Sequence, residues 1–192
     1  DMAWYSLPRD LSLSPSGKLL QQPVREVEGL RKHQASFPAL ARGSQVEVTV
    51  RCRRPASGWP TSGLVAVKTL QAVGQELTLG YEFTSDSYQS GTQASAPGAT
   101  ASASVNGFAD VPASLSVLGA RKDRTPPLPG VVASTSLELR VFVDGHMTET
   151  FFGGHSVITT VTSNTVPSAN IGSAFVNTAS LSCSVSSWTL AL

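Results

Sequence analysis

Residues 137–162 read LELRVFVDGHMTETFFGGHSVITTVT, and this stretch decides the fold. Three runs rich in Val, Ile, Thr and Phe are separated by Asp144-Gly145 and by Gly153-Gly154. Short β-branched and aromatic runs divided by such dipeptides are typical of antiparallel hairpins. The stretch therefore predicts a three-stranded antiparallel meander.

The first turn of the meander sets the register of its first two strands. A two-residue turn at Asp144-Gly145 places Arg140 opposite Glu149, an opposite-charge pair worth roughly 0.2–1 kcal/mol when exposed. A three-residue loop at 144–146 places Glu149 opposite Val141 and loses this pair. Because a slip of one residue exchanges the two faces of a strand, the alternatives differ in which side chains are buried. We favour the shorter turn.

Further strands are predicted on both sides of the meander. Two Leu-containing runs flank a Ser-Pro-Ser-Gly turn at 14–17, which indicates a hairpin, and residues 24–30 have helical spacing after Pro23. Alternating or β-branched runs predict strands at 44–51, 64–68, 76–83 and 179–192. Roughly ten short strands without a long helix predict an all-β fold, a two-sheet antiparallel β-sandwich.

Length and composition limit the number of domains and the classes of partner that the chain can have. The 192 residues suit one domain, spanning 1–192. Residues 84–105 include a low-complexity Ala, Ser, Thr and Gly segment, which predicts a long surface loop. With 14 basic and 13 acidic residues, the net charge of +1 points to no nucleic acid, and no apolar run is long enough to predict a membrane partner.

The two cysteines, Cys52 and Cys183, lie far apart in the sequence. Joined, they would close a loop worth about 4–5 kcal/mol in the chain-entropy model. Strands distant in sequence are often neighbours in a sandwich, so a disulfide is possible, and two buried free thiols are the alternative. Without clustered histidines the two thiols cannot form a zinc site, and no cofactor is expected.

Two motifs carry a resemblance to a known family. In the meander, the residues that carry the resemblance are Asp144, Glu149, Phe151, Gly153, Gly154, Ile158, Thr159 and Thr160. In the N-terminal LPRDLSL and LLQQPVREVEGLR runs, they are Pro8, Arg9, Leu11, Leu20, Gln21, Pro23, Val24, Glu26, Leu30 and Arg31. In this order the motifs resemble the C-terminal domain of family 32 glycoside hydrolases: the invertases, inulinases and fructan hydrolases.

The resemblance implies a β-sandwich that docks on and stabilises a catalytic propeller and offers a surface for oligomerisation. Residues 1–7 would end the linker from that propeller, with Trp4 and Tyr5 against it. The implied reaction is hydrolysis of a terminal β-fructofuranosyl bond in sucrose or a fructan, in a secreted or vacuolar setting. The alternative is a stand-alone carbohydrate-binding or structural module without hydrolase activity.

No catalytic residue is predicted in the chain itself. Retaining hydrolysis needs two carboxyl groups about 5–5.5 Å apart, and the resemblance implies that these lie on propeller motifs absent here. Asp144 precedes Gly145, so turn formation explains it better than catalysis, and Glu149, Glu82 and Asp86 form no recognisable pair. The histidines His33, His146 and His155 are scattered and show no ligand or triad spacing.

Aromatic side chains provide one candidate for sugar contact. Trp59 lies between Gly58 and Pro60 in a loop-like stretch, which predicts an exposed ring. Exposed rings can stack on sugars, although aromatic residues are more often part of a core or an interface. Trp59 is therefore the candidate for a sugar contact, and a core or interface position is the alternative.

Overall fold

The computed structural model describes residues 6–15, 17, 19–60, 62–72, 75–83, 88–95, 103–105, 135–145, 147–154, 156–161 and 172–191. Within these ranges the chain forms thirteen strands and one short 3-10 helix, Arg25–Leu30. The strands are β1 (Arg9–Leu13), β2 (Leu19–Pro23), β3 (Arg31–Ser36), β4 (Gln45–Arg53), β5 (Gly63–Ala72), β6 (Gln75–Phe83), β7 (Tyr88–Ser95), β8 (Ala103–Val105), β9 (Ser136–Asp144), β10 (Met147–Phe152), β11 (Ser156–Val161), β12 (Ser173–Asn177) and β13 (Cys183–Leu190).

The strands form two large antiparallel sheets and one separate hairpin. One sheet has the order β11-β10-β9-β4-β13-β3 and the other β12-β5-β6-β7-β8, while β1 and β2 pair with each other as a two-stranded sheet. Between the large sheets lies a continuous apolar core, in which the rings of Tyr81 and Phe152 meet edge to face at 5.4 Å. The predicted all-β, two-sheet antiparallel sandwich is confirmed.

Alternation along the central strands builds this core. In β9, Leu137, Leu139, Val141 and Val143 are buried in it, and β4 contributes Val46, Val48, Val50 and Cys52. Successive side chains of a strand point to opposite faces, so the residues between them lie on the outer face of the six-stranded sheet. That outer face carries Phe142 and the two glutamates described below.

The meander is present, but both predicted registers are wrong. Asp144 pairs with Met147 and so belongs to the strand, and Gly145, which follows it in the turn, has a φ of +55°, a conformation that glycine adopts without strain. Glu149 lies opposite Phe142 and Arg140 opposite Phe151. The register differs from the favoured one by two residues, so the faces are kept and the Arg140–Glu149 pair is not formed. Both side chains bind other partners.

The loop predicted for residues 84–105 needs correction. Residues 88–95 form β7 against β6, and residues 103–105 form β8 against β7. Small side chains do not prevent this, because the ladder is made by backbone N–H and C=O groups. The rest of that range lies outside the described residues. The strands β3 and β12 were likewise not predicted.

The N-terminal predictions agree with the structure more closely. The β1–β2 hairpin forms where the two Leu-containing runs predict it, and the helical spacing after Pro23 corresponds to the 3-10 helix. No helix in the described ranges has both the length and the apolar character needed to cross a membrane. The hairpin and the 3-10 helix lie on the outer face of the six-stranded sheet.

Candidate functional site

The outer face of the six-stranded sheet has its own small apolar cluster. Val27 of the 3-10 helix packs with Phe142 and Phe151, whose rings meet edge to face at 5.8 Å. Leu7, Val24, Val157 and Leu190 surround this cluster. The N-terminal segment, residues 6–31, therefore covers a sheet face that would otherwise expose two phenylalanines.

Beside this cluster, Glu149 binds the start of the N-terminal segment. Its side chain is only 1% exposed. Arg9 Nη2 donates to Glu149 Oε1 over 2.5 Å, the backbone N–H of Leu7 donates to Oε2 over 2.6 Å, and Thr159 Oγ1 donates to Oε1 over 2.9 Å. A buried carboxylate is tolerated only when it is paired and hydrogen-bonded. Glu149 thus fixes the position of residues 7–9 on the sheet.

A second buried carboxylate, Glu47 of β4, holds the other end of the segment. Arg31 donates to it through Nε and Nη2, each over 2.7 Å, and Arg140 donates to Oε1 through Nε over 3.1 Å and Nη2 over 2.8 Å. Burial alone would raise the pKa of Glu47, but the hydrogen bonds and positive charges of Arg31 and Arg140 outweigh it and lower that pKa. Glu47 is therefore held as a carboxylate.

Glu28 and two aromatic rings complete this network. Glu28 Oε1 lies 3.6 Å from Nη2 of both arginines, which balances two positive charges with two negative ones. The guanidinium of Arg31 lies 4.1 Å from the centroid of the Trp188 ring, and that of Arg140 lies 5.3 Å from that of Phe142. Such cation–π contacts add to the ion pairs. The network joins the 3-10 helix to strands β3, β4, β9 and β13.

The structure thus brings the two sequence motifs together. Arg9 of the LPRDLSL run pairs with Glu149 of the TETFF run, and Arg31 ends the second N-terminal run. Glu47 was not predicted from the sequence. The available signal was its place in the alternating run QVEVTVR, where it falls on the polar side, but alternation alone does not tell a solvated glutamate from one covered by another segment.

The cavity that the described residues form beside Glu149 is much smaller than a sugar. Its volume is about 20 Å³, and it is lined by side chains that include Leu7, Val27, Phe142 and Met147. This volume has room for about one water molecule. Asp144, which also lines this cavity, accepts a hydrogen bond of 3.3 Å from Gln45 Nε2. His33 is exposed on β3.

The remaining predicted residues fall in different places. Cys52 of β4 and Cys183 of β13 are paired in register and form a disulfide with an S–S distance of 2.04 Å. An exposed ring was predicted for Trp59. In the structure this ring is only partly exposed, because it packs against the core and stacks on Phe83 with centroids 6.1 Å apart. Whether Trp59 contacts sugar stays a prediction.

Several predicted positions lie outside what the structure describes. These are Trp4, Tyr5, His146, His155, Asp86 and the side chain of Glu82. In the described ranges, no group of three or more His, Cys, Asp or Glu side chains is arranged to hold a metal ion.

Comparison with known proteins identifies the family. Residues 17–189 match the family described as glycosyl hydrolases family 32 C terminal. The chain belongs to this family. The match includes the β2 strand, the 3-10 helix, Glu47 and Glu149, so the two buried carboxylates lie within the family 32 C-terminal domain. No curated protein matches the chain by sequence at a significant level.

Solved structures share the fold of this family 32 domain. A fructan 1-exohydrolase IIa from Cichorium intybus is similar at 17% identity and a TM-score of 0.56, over 96% of this chain and 40% of the other. An exo-inulinase from Aspergillus awamori is similar at 15% identity and a TM-score of 0.57, over 97% of this chain and 35% of the other. The chain thus spans well under half of these enzymes.

Proposed function

We propose that this family 32 domain is the non-catalytic sandwich module of a fructoside hydrolase, docking on the catalytic propeller and stabilising it. The observation that carries the proposal is the anchored N-terminal segment. Residues 7–9 are held by Glu149 and Arg31 is held by Glu47, so the start of the segment has one fixed position on the sandwich. A domain joined to Leu7 would be oriented by these contacts.

The chemistry of the buried carboxylates supports a non-catalytic role. Glycoside hydrolysis needs one carboxyl group as proton donor and a second as nucleophile or base, on either side of a bound sugar. Here Glu47 is held ionised by two arginines, and Glu149 is enclosed by Arg9, Leu7 and Thr159. The oxygens of both carboxylates therefore accept hydrogen bonds from the protein itself.

The similar solved proteins support the proposed class of substrate. The similar solved proteins are named as a fructan 1-exohydrolase and an exo-inulinase, and a third, from Bombyx mori, as a GH32 beta-fructofuranosidase. The proposed substrate of the whole enzyme is therefore a terminal β-fructofuranosyl bond, in sucrose or a fructan. A secreted or vacuolar location is part of the proposal, and the disulfide supports an oxidising compartment.

The test is made on the native protein, captured with an antibody against this chain. We expect a polypeptide or tight complex well above the 20.1 kDa of the chain, with hydrolysis of sucrose or inulin that disappears when the antibody depletes the material. A lone, inactive chain of 20.1 kDa would overturn the proposal and favour a stand-alone binding or structural module.

A further inference from the structure

The β1–β2 hairpin exposes an apolar surface. In the part of the chain that the structure describes, the large hydrophobic side chains that are mostly exposed are Leu13 at 70%, Leu11 at 65%, Phe37 at 57% and Leu19 at 51%. Three of them belong to this hairpin. Leu13 pairs with Leu19, and Leu11 is two residues from Leu13, so all three lie on one side of it. We call Leu11, Leu13 and Leu19 the leucine face.

The leucine face extends beyond the contacts that fix the hairpin. Arg9 shares its side of β1 but points to Glu149, and Gln21 accepts a hydrogen bond of 3.1 Å from Arg9 Nη1. The backbone N–H of Gln21 also donates to the carbonyl of Gly154 over 2.7 Å. The base of the hairpin is thus anchored on the sheet. Because a two-stranded hairpin is only marginally stable in water, an exposed leucine side is expected to have a partner.

We infer that the leucine face is the surface that the catalytic domain of the same polypeptide covers. This inference rests on the proposed function. The family is the C-terminal part of enzymes of which this chain spans 40% and 35%. A catalytic domain that preceded this one would reach it through Leu7 and Arg9, directly before the leucine face.

The size of the surface favours a tethered domain over a second copy of the chain. Three mostly exposed leucines offer on the order of a few hundred Å². A stable interface between separate chains buries about 800 Å² on each partner. A domain tethered by the same chain docks on less, because the short linker gives it a high effective concentration.

The experiment uses the native enzyme that contains this chain and compares two variants. The first is Leu11→Ser/Leu13→Ser/Leu19→Ser, and the matched control is Phe37→Ser, which removes an equally exposed hydrophobic side chain elsewhere. In the wild-type enzyme the two docked domains are expected to unfold in a single thermal transition. We expect the triple variant, but not Phe37→Ser, to lose this common transition. Its cleavage by protease at the domain junction rises by about tenfold, because cleavage tracks the population of the undocked state.

The outcomes separate the inference from the proposed function. If the native protein contains no catalytic domain, the proposed function fails before any variant is made. If it contains one but the triple variant keeps the shared transition and the wild-type cleavage rate, the inference alone is overturned. A wild-type dimer that the triple variant converts to a monomer, with the domains still coupled, also overturns it and assigns the surface to a second copy.

A measurement on the wild-type enzyme covers the case in which the triple variant does not fold. Hydroxyl-radical oxidation reports the exposure of individual side chains. We expect the three leucines to be protected in the native enzyme and Phe37 to remain reactive, at the 57% exposure that it has in this domain. The inference would be overturned if the three leucines in the native enzyme were as reactive as their exposure in this domain alone predicts.

Discussion

Arg9 and Glu149 are separated by 140 positions in the sequence, and Arg9 Nη2 donates to Glu149 Oε1 over 2.5 Å. The carboxylate is 1% exposed while the arginine side chain is 24% exposed. Loss of the arginine would therefore leave a buried negative charge without its cation. This asymmetry makes Arg9 the informative residue to replace.

Arg9→Ala is expected to destabilise the domain by about 3 kcal/mol, because it leaves the buried carboxylate unpaired. The matched control is Arg51→Ala, which breaks the exposed pair with Glu138, where the two side chains are 66% and 38% exposed. An exposed pair contributes at most about 1 kcal/mol. Urea unfolding of both variants measures the difference. Equal losses would contradict the role assigned to Glu149.

Glu47→Gln should destabilise the domain by about 3 kcal/mol as well, since Arg31 and Arg140 would lose the carboxylate that both bind. The glutamine has nearly the same shape, so packing is kept and the lost charge accounts for the effect. Urea unfolding at neutral pH measures it. A loss below about 0.5 kcal/mol, the usual range for surface substitutions, would show that the network contributes little.

The same network predicts a pH dependence. The pKa of Glu47 is lowered in the folded protein from its ordinary value of 4.5. The folded state therefore binds fewer protons than the unfolded state, so this stabilisation is complete above pH 4.5 and is lost as the pH falls through the folded pKa. The stability difference between wild type and Glu47→Gln should narrow on acidification. A constant difference down to about pH 3 would contradict the lowered pKa.

Reduction of the Cys52–Cys183 disulfide should cost about 4–5 kcal/mol in the chain-entropy model, because its cysteines are 131 positions apart. Urea unfolding with and without reductant measures this loss. The double variant Cys52→Ala/Cys183→Ala is the control, and its stability should not respond to reductant. If reductant destabilised both proteins equally, the loss would not come from the disulfide.

Local patterns were sufficient to predict most of the strands. The β1–β2 hairpin, the meander and β13 follow from alternation and turn residues, which act over a few positions. The register of the meander does not follow from these local patterns, because Asp144-Gly145 is itself suited to a two-residue turn, which gives a different pairing from the observed one. Packing of Phe142 against Phe151, with the N-terminal segment over both, accompanies the observed pairing. These contacts depend on residues far away in the sequence.

The site was predicted only in part for the same reason. Arg9, Arg31 and Glu149 were singled out by the family motifs, but their partners were not identified. The polar side of β4 reads as a solvated face, and Glu47 is nevertheless fully buried. Its burial is caused by residues 24–31, which fold over it. Alternation shows which side of a strand is polar, but not what lies on that side.

The place of β13 in the six-stranded sheet has a consequence for biosynthesis. This strand, Cys183–Leu190, is hydrogen-bonded between β4 and β3, both of which are made far earlier. During synthesis on the ribosome, the edges of β4 and β3 that bind β13 therefore stay unpaired until residue 190 has left the exit tunnel. Domains generally fold in order from the N-terminus during synthesis. Under the proposed function, the catalytic domain is therefore complete before this sandwich closes.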